Sequence, residues 1–464
     1  MLRFAWRTSA PGDPQPLPAP DSLQHGLLTS VHNSVLRPLQ KLQQGRSAFV
    51  PSDFALSSVL SVSASAKKRI QARLMQNDRC TMTDLTASRL NRRQALTLIL
   101  WAACGSASAA RVPASQFSVR DYNRAVVIDA QSGFGDIDQS SRLRSVISDV
   151  SASGLTAISI TVGEVGNGPR RLESAVSDIA RLNGLLAAFP DALTPVQRAN
   201  DLRRAKEHGQ TGIIFNVQDT AALEGESSRV RLLEQLGIRI IQLTYNKRNL
   251  CGDGCLEPEN AGLSDFGREV VHEINSCRVL LDLSHGGART ISEAVKHTAA
   301  PPAVTHTGCR DLVDNQRNLY DSQMREIADK GGVVGIYLIA YLRSGIGQRA
   351  LNARREDLIA HLEHAIDVCG EEHVGIGTDG EVSALVITPE ALAYQKKRFE
   401  ERTREGLASA GEGPDVFNYV AEYNTPRRFY ALATDLASRG WPARRIERVI
   451  GGNFARLFTD VWGS

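Results

Sequence analysis

Cysteine is scarce in this chain of 464 residues, and what there is lies scattered: Cys80, Cys104, Cys251, Cys255, Cys277, Cys309 and Cys369. No zinc-ribbon or disulfide-framework spacing appears, so a small disulfide-stapled scaffold is excluded. Cys251-Gly-Asp-Gly-Cys255 is the single close pair. It suits a small loop disulfide or metal clip and, equally, two free thiols in a glycine-rich loop. An excess of one charge is also missing. Lysine and arginine total 54 against 51 acidic residues, a net +3, with no basic stripe interleaved with aromatics. That argues against nucleic acid and against a polybasic membrane surface. No G-x-G-x-x-G follows the first strand-like run, which weakens an open dinucleotide-binding sheet. What remains, 42% hydrophobic and 23% charged, is ordinary globular composition with enough chain for a large core.

The N-terminal quarter stands apart. Residues 1–81 are rich in Pro, Ser, Gln and Arg without sustained periodicity and read as a poorly ordered extension. Residues 82–110 combine Arg92-Arg93, the apolar run Ala95–Ala103 and the small-residue pattern Ala107-Ser108-Ala109. The run is too short for a stable membrane span. Charged flank, short apolar stretch and cleavage pattern together read as a twin-arginine-like signal peptide, hence an exported, periplasmic protein with no transmembrane helix in its mature chain. A start at Met82 or Met75 would place that signal at the N-terminus. The competing reading is a buried helix of a folded extension. Acylation of Cys104 would anchor the chain to a membrane, although Trp101 stands where a lipobox has an aliphatic residue.

From about residue 118 the texture alternates. Strand-like runs at 125–130, 157–162, 212–217, 238–244, 279–284, 303–307, 333–338 and 373–379 are separated by stretches of helical period such as 265–276, 288–297 and 355–369. Eight strands alternating with helices predict an α/β fold, a (β/α)8 TIM barrel, over residues 118–460. The polar stretch 385–425 extends the last barrel connection, and 431–458 supplies closing helices.

In such barrels chemistry gathers at the C-terminal ends of the strands. Those ends here carry Asp129, Gln131, Gln218, Tyr245, Asn246, Ser284-His285, Thr305-His306 and Thr378-Asp379. Neutral imidazoles and a carboxylate converging from different strands are what a zinc-type divalent cation prefers, and such a site activates water. Each histidine alone is more often a hydrogen-bonded structural residue. His361 and His364 suit an exposed helix face, and His373 begins its strand at the wrong end for chemistry. Arg317, in Asp314-Asn-Gln-Arg-Asn318, offers a fork for a substrate carboxylate or, equally, a surface salt bridge.

The series VLLDLSH (279–285), AVTHTGCRDL (303–312), Gln-Arg-Asn (316–318) and HVGIGTDG (373–380), with GLSDFGREVVHEIN (262–275) and GGNFARLF (451–458), resembles the membrane dipeptidase (renal dipeptidase) family of metallopeptidases. The resemblance covers roughly residues 120–460. It implies a barrel of the amidohydrolase type, a pair of zinc ions, dipeptides as substrates and often a homodimer. By position, His285 and His306 match two metal ligands. Arg317, with Asn318 beside it, matches the residue that holds the substrate carboxylate, and Asp379 matches the aspartate that handles the proton of the attacking water.

The sequence also departs from that pattern. Gln131 and Gly133 stand where the family opens with His-x-Asp, Gln218 stands for the metal-bridging glutamate, and Tyr245 for the substrate-polarising histidine. An amide brings no charge to hold two cations close together. The expectation is therefore a metal-dependent hydrolase with one divalent cation, zinc before iron or manganese, on His285, His306 and the carbonyl oxygen of Gln218. In it Asp379 takes a proton, Tyr245 donates to the oxyanion and Arg317 grips a dipeptide-like substrate. An inactive barrel that binds a peptide-like ligand is the alternative, and a scaffold acting through the loop 251–260 is a third.

Overall fold

The computed structural model describes residues 117–135, 140–166, 170–343 and 352–464. The extension 1–81, the signal-like segment 82–110 and the residues Cys80 and Cys104 lie outside the described residues. Cys251, Cys255, Cys277, Cys309 and Cys369 are all free, which answers the question of Cys251 and Cys255.

Parallel strands form a single curved sheet: β1 (Ile128–Gly133), β2 (Ala157–Thr161), β4 (Thr211–Val217), β5 (Ile238–Gln242), β6 (Leu280–Asp282), β7 (Ala303–Thr307), β8 (Val333–Ile336) and β9 (Val374–Ile376). A short β3 (Leu193–Pro195) pairs on β4 outside this path. The line of β9 continues into β10 (Gly380–Glu381), which pairs in parallel with β1 at Ser132 and Gly133. That pairing closes the ring, and the fold is a (β/α)8 barrel.

Strand alternation explains the two cores. Val127, Ile158, Ile213, Ile241, Leu281, Val304 and Val334 point outward into the shell of helices. Their neighbours Ile128, Ala157, Ile214, Ile240, Leu280, Ala303 and Val333 point inward and pack with Phe454, Phe458 and Trp462 of the last helix, Asn453–Trp462. That helix plugs the end where the strands begin. Removing the Phe454 ring would cost about 3–5 kcal/mol, as for other buried aromatics. Two residues further along β2, β4, β5, β6 and β7 the inward positions turn polar: Ser159, Asn216, Gln242, Asp282 and Thr305, all buried. The barrel thus has an apolar plug at one end and a polar floor toward the other.

Most expected elements are present within a few residues. The structure adds helices Arg171–Ala188 and Ala199–His208 around β3. Buried Ala175, Ile179, Leu182 and Leu186 give the first of these a helical period. The polar connection after β10 holds the helix Pro389–Arg404, which has no buried residue; Thr388 caps it, accepting from the Ala391 amide, and proline takes the first turn. His361 corrects the expectation of an exposed face: it is 1% exposed, and its ring bonds the Cys309 amide and the Leu342 carbonyl. His364 pairs with Asp321 at 2.7 Å, and His373 is structural, bonded to the Gly332 carbonyl.

Candidate active site

Two of the six non-glycine residues with positive φ among the described residues stand at strand ends: His285 (φ 62°), after β6, and Asp379 (φ 53°), between β9 and β10. A left-handed backbone costs a non-glycine residue on the order of 1 kcal/mol or more, and such strain clusters at functional sites. Here it turns both side chains across the mouth of the barrel.

The His285 and His306 rings meet with their Nε2 atoms 3.0 Å apart. What stands behind each ring sets its tautomer. His285 Nδ1 lies 2.6 Å from Asn246 Oδ1, and the Asn246 amide orientation is fixed because its Nδ2 donates to the Leu407 carbonyl. His285 therefore donates through Nδ1. Behind His306, Thr305 gives its hydroxyl hydrogen to Asp282 Oδ2 at 2.6 Å. Its oxygen is left to accept from His306 Nδ1 at 2.8 Å. Burial, with the nearby Arg317 charge, holds both imidazoles well below their usual pKa, so they are neutral. Two neutral rings, each protonated on Nδ1, present bare lone pairs at Nε2 to one another. A hydrogen bond between them would need an imidazolium, which this setting disfavours. A shared cation would resolve the repulsion, and a tautomer fixed by a hydrogen bond behind the ring is what metal-binding histidines carry.

A glycine loop helps hold this backing in place. The Cys255 amide bonds the His285 carbonyl and the Leu256 amide bonds the Asn246 carbonyl, each at 2.8 Å. Gly254 passes so close to Asn246 that a Cβ there would lie 2.3 Å from its carbonyl carbon. Cys251 through Gly254 are buried and form a wedge beneath the site, while Pro258 and Glu259, further along the loop, are exposed. Burial pushes the Cys255 thiol up to about 11, and its sulfur lies 3.5 Å from Asn246 Oδ1, to which it donates.

The opposite side of the mouth is different. Gln131 donates to Thr161 Oγ1 at 2.9 Å, Thr161 donates to Asn216 Oδ1 at 3.1 Å, and Asn216 donates to Ser159 at 2.7 Å. Gln218 is half-buried, and its backbone carbonyl accepts from the Gln242 side chain. Among the described residues no group of three or more His, Cys, Asp or Glu side chains could hold a metal ion. The facing imidazole nitrogens of His285 and His306 are the donors that would fit a cation here, and no described carboxylate joins them in a cluster.

Arg317 is 4% exposed, makes no salt bridge among the described residues and donates to the His306 carbonyl. A surface salt bridge is thus excluded, and most of its fork is open to a ligand. Asn318 is spent inside its own loop: it donates to the Val313 carbonyl at 2.9 Å and accepts from the Tyr337 hydroxyl. The Asp379 carboxylate makes no hydrogen bond among the described residues. Burial raises its pKa, and the charges of Arg317, Arg398 and Arg402 work against that rise. Tyr245 stacks on His285, ring centroids 4.1 Å apart, and its hydroxyl oxygen accepts from Arg402 Nη1 at 3.2 Å. The sequence did not single out Arg402. It lies in the run RFEERTREG, which reads as a solvated helix face.

Known proteins resemble this chain in sequence and fold. A Klebsiella pneumoniae protein described as uncharacterized, in the pqqA 5' region, is 27% identical over 61% of this chain and 94% of its own. Dipeptidase tcpJ of Claviceps purpurea is 26% identical and dipeptidase 3 of mouse 25%, each over 62% of this chain. The matched region is 60% and 51% of their respective lengths, so the chain spans only about half to three fifths of these named dipeptidases. Among solved structures, an amidohydrolase from Pseudomonas aeruginosa aligns with a TM-score of 0.64 at 30% identity, over 74% of this chain and 99% of that one. A metallopeptidase from Rhodobacter sphaeroides, liganded with a phosphinate mimic of L-Ala-D-Ala, shares the fold: TM-score 0.58, 18% identity, 73% of this chain and 99% of that one. The membrane dipeptidase family (peptidase family M19) matches residues 135–395, more than half of the sequence, and the chain belongs to that family.

Proposed function

We propose that the protein hydrolyses a dipeptide or a related small amide at a site holding a single divalent cation, zinc before other metals. The observation that carries this reading is the pair of tautomer-fixed Nε2 lone pairs on His285 and His306, facing each other at 3.0 Å with no proton to share. His285 and His306 would hold the cation, with the carbonyl oxygen of Gln218 as a third donor. When bound, the cation supplies Lewis-acid polarisation and a more acidic water.

The chain's own residues account for the rest. Arg317, buried and without a carboxylate partner, binds the C-terminal carboxylate of the substrate and sets its register. Asp379, whose carboxylate makes no hydrogen bond among the described residues and is raised in pKa by burial, takes the proton of the attacking water and returns it to the departing amine. Tyr245 donates its hydroxyl hydrogen to the oxygen of the tetrahedral intermediate. The wall of His285, His306 and Tyr245 shields the reacting amide from bulk water.

Cation content per chain and turnover of dipeptides, including ones with a D-residue at the C-terminal side, test the reading together. One equivalent of metal and chelator-sensitive hydrolysis are expected. No bound metal and no metal-dependent turnover would overturn it. The hydrogen-bonded Gln131–Thr161–Asn216 side favours a second reading, a non-catalytic binder of a peptide-like ligand. Ligand binding that survives the paired change His285→Ala and Asp379→Ala would select it. The segment 82–110 supports export to the periplasm; peptides from residues 1–70 in the native protein would count against the signal reading.

A further inference from the structure

The helix Pro389–Arg404 sits in the connection after β10, and most of its charges behave as surface charges do. Lys396–Glu400 and Lys397–Glu401 are exposed pairs at 4.0 and 3.9 Å. Arg402 is different. Its side chain is 17% exposed, and that of its partner Glu412 is 13% exposed. Arg402 Nε and Nη2 donate to the two Glu412 oxygens at 2.8 and 2.9 Å, and Nη2 also donates to the Leu407 carbonyl. Glu412 is held in turn by the Tyr341 hydroxyl at 2.6 Å and the Ser409 amide at 2.8 Å. A guanidinium gripped on this many sides has one orientation. The remaining nitrogen, Nη1, is aimed at the Tyr245 oxygen.

An arginine only donates, so the Tyr245 oxygen must accept from it. A phenol keeps its O–H near the ring plane, with one in-plane position on each side of the C–O bond. With Arg402 on one side, the hydroxyl hydrogen is turned to the other, and no described residue takes it. The Tyr245 ring itself cannot swing away, because it is stacked on His285 at an interplanar angle of 25°. We propose that Arg402 is a positioning residue that fixes the Tyr245 hydroxyl as a hydrogen-bond donor to the oxygen of the reacting amide. This rests on the hydrolase reading and adds a residue to it. The oxyanion donor is made by two segments, the end of β5 and the helix of the late insertion. Neither is competent alone, since a free phenol rotor offers its lone pairs as readily as its hydrogen.

The test uses the full chain loaded with zinc, a phosphinate pseudodipeptide as the tetrahedral probe and a cleavage-resistant N-methyl dipeptide as the planar one, with affinities from titration calorimetry. Tyr245→Phe and Arg402→Ala should each weaken phosphinate binding about tenfold or more. The double variant should be no weaker than Tyr245→Phe alone. Binding of the planar probe should change less than about threefold, since the donor matters only for a developed oxyanion. Arg402→Lys keeps the charge but reaches only Tyr245 or Glu412, and should fall between wild type and Arg402→Ala; it carries the test should Arg402→Ala fail to fold by thermal unfolding. Losses that multiply in the double variant, equal weakening of both probes, or wild-type behaviour of the Arg402 variants would overturn the inference while leaving the hydrolase reading intact. A wild-type chain that neither binds the phosphinate nor cleaves dipeptides overturns both.

Discussion

The two sides of the barrel mouth descend from one sequence pattern and have gone different ways. Around β6 and β7, His285 and His306 are fixed from behind by Asn246 and by the Thr305–Asp282 pair, and their ligating nitrogens point at nothing but each other. Around β1, β2 and β4, amides and hydroxyls bond one another in a chain from Gln131 to Ser159. The first side is strained and electrostatically unsatisfied without a cation; the second is satisfied as it stands. Unsatisfied buried groups are costly, at about 1–3 kcal/mol each, so a chain keeps them where a ligand completes them. By that rule the proposed cation belongs on the side of His285 and His306, and the Gln131–Ser159 chain has no need of one.

The largest effect should come from breaking the unsatisfied side. His306→Ala removes one of the two lone pairs that would hold the cation and should abolish zinc binding and lower turnover by about a thousandfold or more. Gln131→Ala, its counterpart across the mouth, should leave zinc content unchanged and alter turnover only a few-fold. Metal analysis and kcat on both variants, with thermal unfolding as a control, decide the matter. If the two substitutions cost the same, the contrast between the sides is wrong.

Arg317→Lys should come next. The residue lies in the loop after β7, buried beside His306, and its open fork matches a planar carboxylate that a lysine meets only as a point charge. KM should rise about 10- to 100-fold with a smaller change in kcat, because a charge-assisted hydrogen bond of about 1.5–3 kcal/mol is lost from substrate and transition state alike. A dipeptide amide, lacking the carboxylate, should show no such difference between the two proteins.

Restoring the quiet side is a subtler intervention. Gln131→His, Gly133→Asp and Gln218→Glu together put three ligands where amides and a glycine stand. Space allows it at Gly133, where an added Cβ would find its nearest neighbour at 3.9 Å. A second equivalent of zinc per chain is the expected outcome. One equivalent before and after would mean that the Thr161–Asn216 chain has reshaped the strand ends beyond recovery by ligand identity.

Much of this was legible in the residues. Barrel order and the strand-end positions of His285, His306 and Asp379 follow from short apolar runs that stop on polar residues, while the role of Arg317, in the loop after β7, comes from the family resemblance. The missing ligands Gln131, Gly133 and Gln218 can be read directly. Other features could not be read. The exposure of His361 depends on which helix face meets the loop after β7, a tertiary fact that helical spacing leaves open. Asn318 looks like a site residue beside Arg317, but its amide closes its own loop. Arg402 is hidden in a charge-rich helix, where only the fold reveals that one arginine of several is half-buried and paired with Glu412. Gly254 is a glycine because the chain there passes tightly under Asn246, and the polar loop 251–260 is thereby split into a buried start and an exposed Pro258-Glu259. In each case contacts between distant segments decide the outcome, and local pattern is silent about them.

The smallest effect tests whether the quiet side has become purely structural. Asp129, on β1, is a buried carboxylate that survives there. It accepts from the Thr378 amide at 2.7 Å and the Thr378 hydroxyl at 2.6 Å, and so ties β1 to the end of β9, next to Asp379. Burial outweighs these bonds and raises its pKa to about 6. The folded chain therefore holds a proton here more tightly than the unfolded chain does. The stabilisation this gives is fully present below about pH 4 and is lost as pH rises through about 6, a change of roughly 1–3 kcal/mol. Asp129→Asn should flatten that part of the stability profile, measured by denaturant unfolding between pH 4 and 7, and should leave zinc content as it was. An unchanged pH profile would mean that Asp129 stays ionised in the folded chain. A loss of zinc would mean that β1 still supports the cation through the Thr378–Asp379 turn, and the two sides of the mouth would then be coupled through the closing strand.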